Sequence, residues 1–294
     1  MCARSLAWQS KLILLLVLPC TAVEVALQAR GCAEQAPAAL WWTLGLSAAL
    51  GLIAWLARAG TPAAAATGAL LTASLMFSTT GAPFSPWRTA LTPLLAFMVI
   101  TSAATRFGRD RKQRLGTAES KRGRGAAQVS ANLGLAALAA LPLAQVWFEN
   151  SLGLRLYLGV PLFVPALAAL SEAAADTVSS EVGQVLGGRP FLLTTFRRVE
   201  PGTDGAISFA GTLAGIAAAA AVAAAGTWTG NGDLRMFLLN FTGGIFGLFF
   251  DSLLGATLER ARWLNNDAVN FLSTASAATF ALALAAAFPL PGVG

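Results

Sequence analysis

The sequence predicts an all-α fold, a polytopic transmembrane helical bundle of about nine spans with its N-terminus in the cytoplasm. Three observations predict it. The 294 residues are 56% hydrophobic and 12% charged, with mean hydropathy +0.65, whereas a soluble domain is usually about 25% charged. Nine apolar stretches approach the ~20 residues that cross a bilayer: 12–29, 40–57, 63–80, 89–105, 126–146, 156–175, 206–227, 235–257 and 268–288. With the N-terminus inside, sixteen of the 20 Lys and Arg fall in loops on one side, leaving Arg30, Arg88, Arg155 and Arg235 on the other, the bias that sets membrane orientation.

The first stretch follows Arg4 and Lys11 and begins LILLLVL. A cleaved leader has that pattern too, but further apolar stretches follow, so it is read as a first span. Cys2, Cys20 and Cys32 fit no zinc spacing and make an odd set, so they are read as small apolar residues. The third stretch is the weakest, being short and rich in Ala and Thr. Between the fourth and fifth lies a basic loop, 106–125, with eight cations among glycines. Attraction to anionic headgroups explains such a loop without further function. Gln128 and Asn132 then enter the fifth span at i, i+4, on one helix face. Amides at membrane depth face a bundle interior or a cavity.

The sixth span carries Glu172 and Asp176, again i, i+4, at its cytoplasmic end, and Glu181 follows. Like charges this close need a counter-charge or a cation, and an all-oxygen set suits Mg²⁺, which shares its shell with phosphate. The loop 176–205 adds Gly187-Gly188-Arg189-Pro190, Thr194, Thr195, Arg197, Arg198 and Pro201-Gly202-Thr203-Asp204-Gly205. Freed backbone N–H groups, hydroxyls and guanidinium forks are what phosphate recognition requires. No Walker or dinucleotide fingerprint is present.

The seventh span is packed with Ala, as in 217–225. In the eighth, Gly243, Gly247, Asp251, Gly255 and Glu259 recur every four residues, a ridge along one face where another helix approaches closely. Asp251 in that seam faces protein or cavity, and an ionisable group there is a functional candidate. The loop 258–267 leads into NNDAVNFLST, where Asn266 or Asp267 is expected to cap the last helix and Asn270 shares a face with Asn266. Pro289 and Pro291 end that helix. Trp41, Trp42, Trp87, Trp147, Trp228 and Trp263 lie near span ends, as in an interfacial belt.

There is no His, which excludes His-based triads, His proton relays and His-ligated metals. The net charge of +6 reports a basic face and gives no argument for nucleic acid. No protein partner is evident.

Together RGRGAAQVSAN, ADTVSSEVG, TTFRRVEPGTDGAIS, FDSLLGATLE and NNDAVNFLST resemble the integral-membrane "domain of unknown function 92" family, which includes the plant phytyl-phosphate kinase of tocopherol synthesis. The resemblance covers roughly Gly68 to Leu284. It implies one membrane domain over 1–294, with variable N-terminal spans in 1–62 and the family core in 63–290. It departs at Val178, where the family often has Trp, and at Glu259, where it often has Gln, and neither change removes a carboxylate or a cation. By this resemblance the chain is similar to prenol and dolichol kinases and CDP-diacylglycerol synthases, which use CTP and a divalent metal.

The expected function is a prenyl-phosphate kinase-like phosphotransferase in the cell membrane, acting on an isoprenoid phosphate with a nucleotide, CTP, and Mg²⁺. Asp176, Glu181 and Asp251 are expected at the metal and the chemistry, with Glu172 at the metal or beside it. Lys121, Arg122, Arg197 and Arg198 are expected to hold phosphates, Thr195, Gly202, Thr203 and Gly205 to offer hydroxyl and backbone donors, and Gln128, Asn132, Asn266, Asp267 and Asn270 to line the nucleotide and phosphate site. The alternatives are a transporter or flippase of an anionic or phosphorylated lipid, and a membrane protein with no turnover. Depth separates them, because the charges cluster at one face and the outer halves of the spans are nearly free of charge apart from Glu24.

Overall fold

The computed structural model describes residues 6–118, 123–152 and 164–288. Cys2, Arg4, Lys121, Arg122, Arg155, Pro289 and Pro291 lie outside the described residues, as does the start of the expected sixth span. The chain folds as an all-α membrane bundle. Its helices are α1 (Ala7–Gln35), α2 (Pro37–Leu56), α3 (Pro62–Ser78), α4 (Leu91–Arg106), α5 (Arg109–Leu115), α6 (Ala126–Ala140), α7 (Pro142–Leu152), α8 (Val164–Leu186), α9 (Phe209–Thr229), α10 (Leu234–Leu254) and α11 (Asn266–Ala287). Two-residue strands β1 (Phe191–Leu192) and β2 (Ala206–Ile207) pair antiparallel, Phe191 opposite Ile207, in the loop before α9. Among the described residues five helices are long and apolar enough to cross a membrane, or up to seven if each bent pair is one span.

Helix starts follow local chemistry. The side-chain oxygens of Thr61, Ser208 and Asp233 accept from Ala64 N, Gly211 N and Met236 N at 3.2, 3.2 and 3.0 Å, which satisfies free amides of the first turn. The cap of α11 is a correction. Asn265, not Asn266 or Asp267, accepts from Ala268 N at 2.9 Å, because the helix begins one residue earlier than expected.

One expected span is bent, and one expected loop is partly helical. The stretch 126–146 breaks between α6 and α7 at 65°. Pro142 has no N–H and disfavours a helical conformation before it, and Leu141 stands extended at φ −56°, ψ 134°. The basic loop 106–125 contains helix α5, which leaves α4 at 62°. Gly108 makes that corner at φ 61°, and a Cβ there would stand 2.5 Å from Val185. The third difference matters most for the site. Helix α8 continues to Leu186 rather than ending at 175, so Asp176 and Glu181 project from a rigid helix, not from a loop.

Helix α8 is the hub, packed against α9, α10, α11, α6 and α4. That position explains how a spanning helix carries three carboxylates, for they face protein and not lipid. Small residues bring the backbones close: a Cβ at Gly215 of α9 would stand 2.7 Å from Ala175 O, and one at Gly244 of α10 would stand 2.8 Å from Ser171 Cβ. The six Trp residues of the expected belt are all more than half exposed, with many Leu around them, as suits a surface solvated by lipid.

The motif segments meet at one end of the bundle. Arg124 and the α2–α3 turn exchange backbone bonds, Arg124 N to Ala59 O and Thr61 N to Arg124 O, each 3.0 Å. Gly202 lies against Thr117, and Gly205 against Ala256. At the N-terminus Gln9 Nε2 donates to Trp263 O and Gln9 Oε1 accepts from Asn265 N, both at 2.8 Å. At the opposite end Arg88 donates to Trp228 O at 2.8 Å and Arg235 to Ala285 O at 3.2 Å.

Candidate functional site

Glu172 and Asp176 stand one turn apart on α8, and Asp251 faces them from α10. Glu172 is 1% exposed. Its Oε1, and Oδ1 of Asp251, are buried without a hydrogen-bond partner. The Asp176 and Asp251 side chains are within hydrogen-bonding reach of each other, Asp251 also feels the charge of Glu172, and Ser273 of α11 lies against Glu172. Arg124 is the cation acting on Asp176. Three carboxyls so close, two with an oxygen unmatched, are a costly arrangement for a polypeptide alone.

Gly247 makes the cluster possible. A Cβ there would stand 2.4 Å from Glu172 Cγ, 2.8 Å from Ala277 Cβ and 3.0 Å from Ser273 O. Gly247→Ala should therefore displace Glu172 and destabilise the protein by up to about 2 kcal/mol net, since overpacking costs roughly 1–3 and Ala recovers about 1 in a helix. Gly45 of α2 has nothing within 4 Å of such a Cβ, so Gly45→Ala should stabilise slightly. Thermal unfolding of both variants checks the pair, and equal melting shifts would refute the close packing.

Glu181 lies a further turn and a half along α8 and is held separately. Lys112 of α5 is 1% exposed. Its Nζ donates to Glu181 Oε2 at 2.5 Å, Thr105 O at 2.7 Å and Ala104 O at 3.0 Å. An ammonium has three donors, and all three are used. The two carbonyls end α4, where the helix dipole is negative.

The loop from α8 to α9 folds over this end. Gly205 is pressed on α10, where a Cβ would stand 2.0 Å from Ala256 N and 2.5 Å from Ser252 O, beside a π-turn at Gly255–Glu259. Asp204 comes near Glu259. Thr203 Oγ1 donates to Glu200 O at 2.7 Å, and Thr195 Oγ1 accepts from Arg197 N at 3.4 Å, so both hydroxyls serve their own loop. Arg197 and Arg198 are exposed, and among the described residues neither pairs with a carboxylate.

The expected amide set divides. Gln128 Oε1 accepts from Gly125 N at 2.7 Å, so it closes the first turn of α6 back onto its N-cap, Gly125. Asn132 Oδ1 accepts from Asn270 Nδ2 at 2.9 Å, so these two join α6 to α11, and Asn270 O accepts from Ser273, which lies against Glu172. Asn266 is exposed. Asp267 Oδ2 accepts from Ser10 Oγ at 2.6 Å, which ties α11 to α1. The structure thus brings together Glu172, Asp176, Asp251, Asn132 and Asn270. It sets Glu181 apart with Lys112, and puts Gln128 and Asp267 to work at helix ends.

Sequence reasoning missed Lys112 and Arg124. Lys112 sits in a run of cations in which nothing marks one as buried. Arg124 lies two residues beyond Arg122 in RGRG, and only the backbone pairing to Ala59 shows where it goes. Asn240 was also missed. It is 0% exposed with both amide atoms unpartnered, deep in α10.

Oxygen-only carboxylates with unmatched lone pairs fit a hard cation such as Mg²⁺. Among the described residues no group of three or more His, Cys, Asp or Glu side chains is arranged to hold a metal ion. Mg²⁺ commonly takes one or two carboxylates and completes its shell with phosphate and water, and the cluster suits that mode.

Residues 45–278 match the model of an integral membrane protein family, DUF92. The chain is 36% identical over 215 residues to an uncharacterized membrane protein of Synechocystis, covering 68% of this chain and 75% of that one. It is 44% identical over 108 residues to an uncharacterized membrane protein of Methanocaldococcus jannaschii, covering 37% and 45%. It is 30% identical over 182 residues to "Protein VTE6, chloroplastic" of Arabidopsis thaliana, covering 60% and 53%. The aligned region is thus about half the length of the last two. No solved structure matches the chain.

Proposed function

The chain belongs to the DUF92 family of integral membrane proteins, and from that premise we propose that it is a phosphotransferase that adds a phosphoryl group to a lipid monophosphate. The observation that carries this reading is the buried carboxylate cluster of Glu172, Asp176 and Asp251, with unmatched oxygens on Glu172 and Asp251 and Arg124 beside Asp176. The family's plant phytyl-phosphate kinase supplies the reaction class. An isoprenoid phosphate is the proposed acceptor and CTP the proposed donor.

Phosphoryl transfer is mostly positioning and charge neutralisation. Asp176 and Asp251 would hold Mg²⁺, with Glu172 beside them, and the chemistry the ion would supply when bound is neutralisation of phosphate charge. Arg124 would orient a phosphate oxygen by a charge-assisted bond. The loop arginines Arg197 and Arg198, exposed at the same end, would meet the nucleotide phosphates as it arrives. No strong base is needed, because a monophosphate acceptor is already an anion. Helix α8, packed among its neighbours, would keep its carboxylates in register. The basic end is proposed to face the cytoplasm in the cell membrane, by the positive-inside rule.

Transport of an anionic lipid is the second reading, and Asn240 favours it. This unpartnered amide lies eleven residues before Asp251, roughly 16 Å deeper along the helix, where a path across the membrane would need polar groups. The test is direct. Purified protein in detergent is given Mg²⁺, γ-labelled CTP and geranylgeranyl or phytyl monophosphate. Label in a lipid diphosphate is the expected result. No transfer from CTP, ATP or UTP, with protein shown to be folded, would overturn the enzyme reading in favour of transport.

A further inference from the structure

A cavity of about 430 Å³ opens at the basic end between α2, α3, α4 and α6. No carboxylate of the cluster lines it, but Arg124, which acts on Asp176, does. Its inner wall is apolar, with Leu94, Phe97, Met98 and Leu133. Its mouth is ringed by Arg58, Arg106, Arg109 and Arg124. Arg58, Arg106 and Arg109 are exposed, and among the described residues no carboxylate pairs with them. Sites of a few hundred Å³ with apolar walls and a few convergent polar groups are typical of small-ligand pockets.

Two details mark this mouth as more than a solvated surface. Arg58 ends α2 at φ 55°, a left-handed position where Gly or Asn normally stands. A side chain held in such a conformation is a reason to ask what it serves. Two wall residues also lead to the site: Arg124 acts on Asp176 and Asn132 accepts from Asn270, and both line the cavity.

We propose that this cavity is the acceptor site, taking a lipid monophosphate with its single apolar chain against Phe97, Met98 and Leu133 and its phosphate under Arg58 and Arg106. Arginine forks match phosphate oxygens in pairs, and the apolar wall rewards burial of a hydrocarbon chain. The phosphate then shares the mouth with Arg124, the cation that acts on Asp176. This assignment rests on the phosphotransferase reading for its choice of ligand, and it moves acceptor binding away from the loop arginines.

The experiment is equilibrium binding of radiolabelled geranylgeranyl monophosphate to the full chain in detergent, without nucleotide, so that binding is read apart from turnover. Wild type should bind saturably. Arg58→Ala and Arg106→Ala, both exposed, should each weaken binding about tenfold, the worth of one charge-assisted hydrogen bond. Met98→Trp, which fills the pocket, should abolish it while the protein keeps its elution volume. Geranylgeraniol, lacking the phosphate, and phosphatidylglycerol, with two chains and a diester, should compete poorly.

No saturable binding to wild type, or unchanged affinity in the two Arg variants, would overturn the assignment. Equal competition by phosphatidylglycerol would overturn it as well, giving the pocket to a bilayer lipid. Binding that follows these variants in a protein that transfers no phosphate leaves the pocket assigned and refutes only the kinase reading. Transfer whose KM for the lipid ignores all three variants does the reverse.

Discussion

Asp251→Asn is expected to abolish phosphoryl transfer, by on the order of 10³-fold or more, the scale on which charge-stabilising groups act in this chemistry. The folded, inserted protein should remain. Asp176→Asn should do the same. Asn keeps the volume of Asp and so leaves the packing between α8 and α10 intact, but its amide cannot supply the charge that a divalent cation at phosphate requires. Stability should move the other way. Glu172, Asp176 and Asp251 crowd like charge into one buried space, and removing one member relieves repulsion. The expected signature is therefore lost turnover with an unchanged or raised melting temperature, the trade-off of a site strained for function. Transfer assays and thermal melts of the same preparations check it. Full activity in both variants would refute the site, and a strongly lowered melting temperature would make these aspartates structural.

Lys112→Met should cost about 3–5 kcal/mol of stability, the range for breaking a buried ion pair from one side. Lys112 is 1% exposed and Glu181 17%, so little water reaches the pair. The Met side chain fills the lysine stem's space but leaves Glu181 Oε2 and the Ala104 and Thr105 carbonyls without the donor they share. The first helical elements to suffer are α5 and the end of α4, which Lys112 pins to α8. Adding Glu181→Gln should recover a good part of the loss, because the stranded charge is gone. Denaturation of the single and double variants measures this coupling. A single variant as stable as wild type would show that the pair holds nothing together.

Much of the chain was legible without its fold. Apolar length marked the spans, and the four-residue row from Gly243 to Glu259 marked a close helix seam with Asp251 in it. The i, i+4 spacing of Glu172 and Asp176 put both carboxylates on one face. These are local signals, carried by residues within a turn or two of one another, and helix geometry converts them directly into position. Helix ends were less legible. Asn265, Asn266 and Asp267 are all competent caps, and the choice of Asn265 follows the docking of Gln9 and Ser10 of α1 from the far end of the chain.

What the sequence by itself determined is a membrane bundle with its charge gathered at one end and carboxylates on two of its helices. What only the tertiary structure decided is which groups meet. Lys112 finds Glu181 across 69 positions, and Asn270 finds Asn132 across 138. Lys112 alone of the six described cations in 106–124 becomes buried, Arg124 acts on Asp176, and four helices leave a cavity between them. Periodicity fixes the face a residue occupies, but the partner on that face is set by how helices distant in sequence pack, and packing depends on side chains from all of them at once.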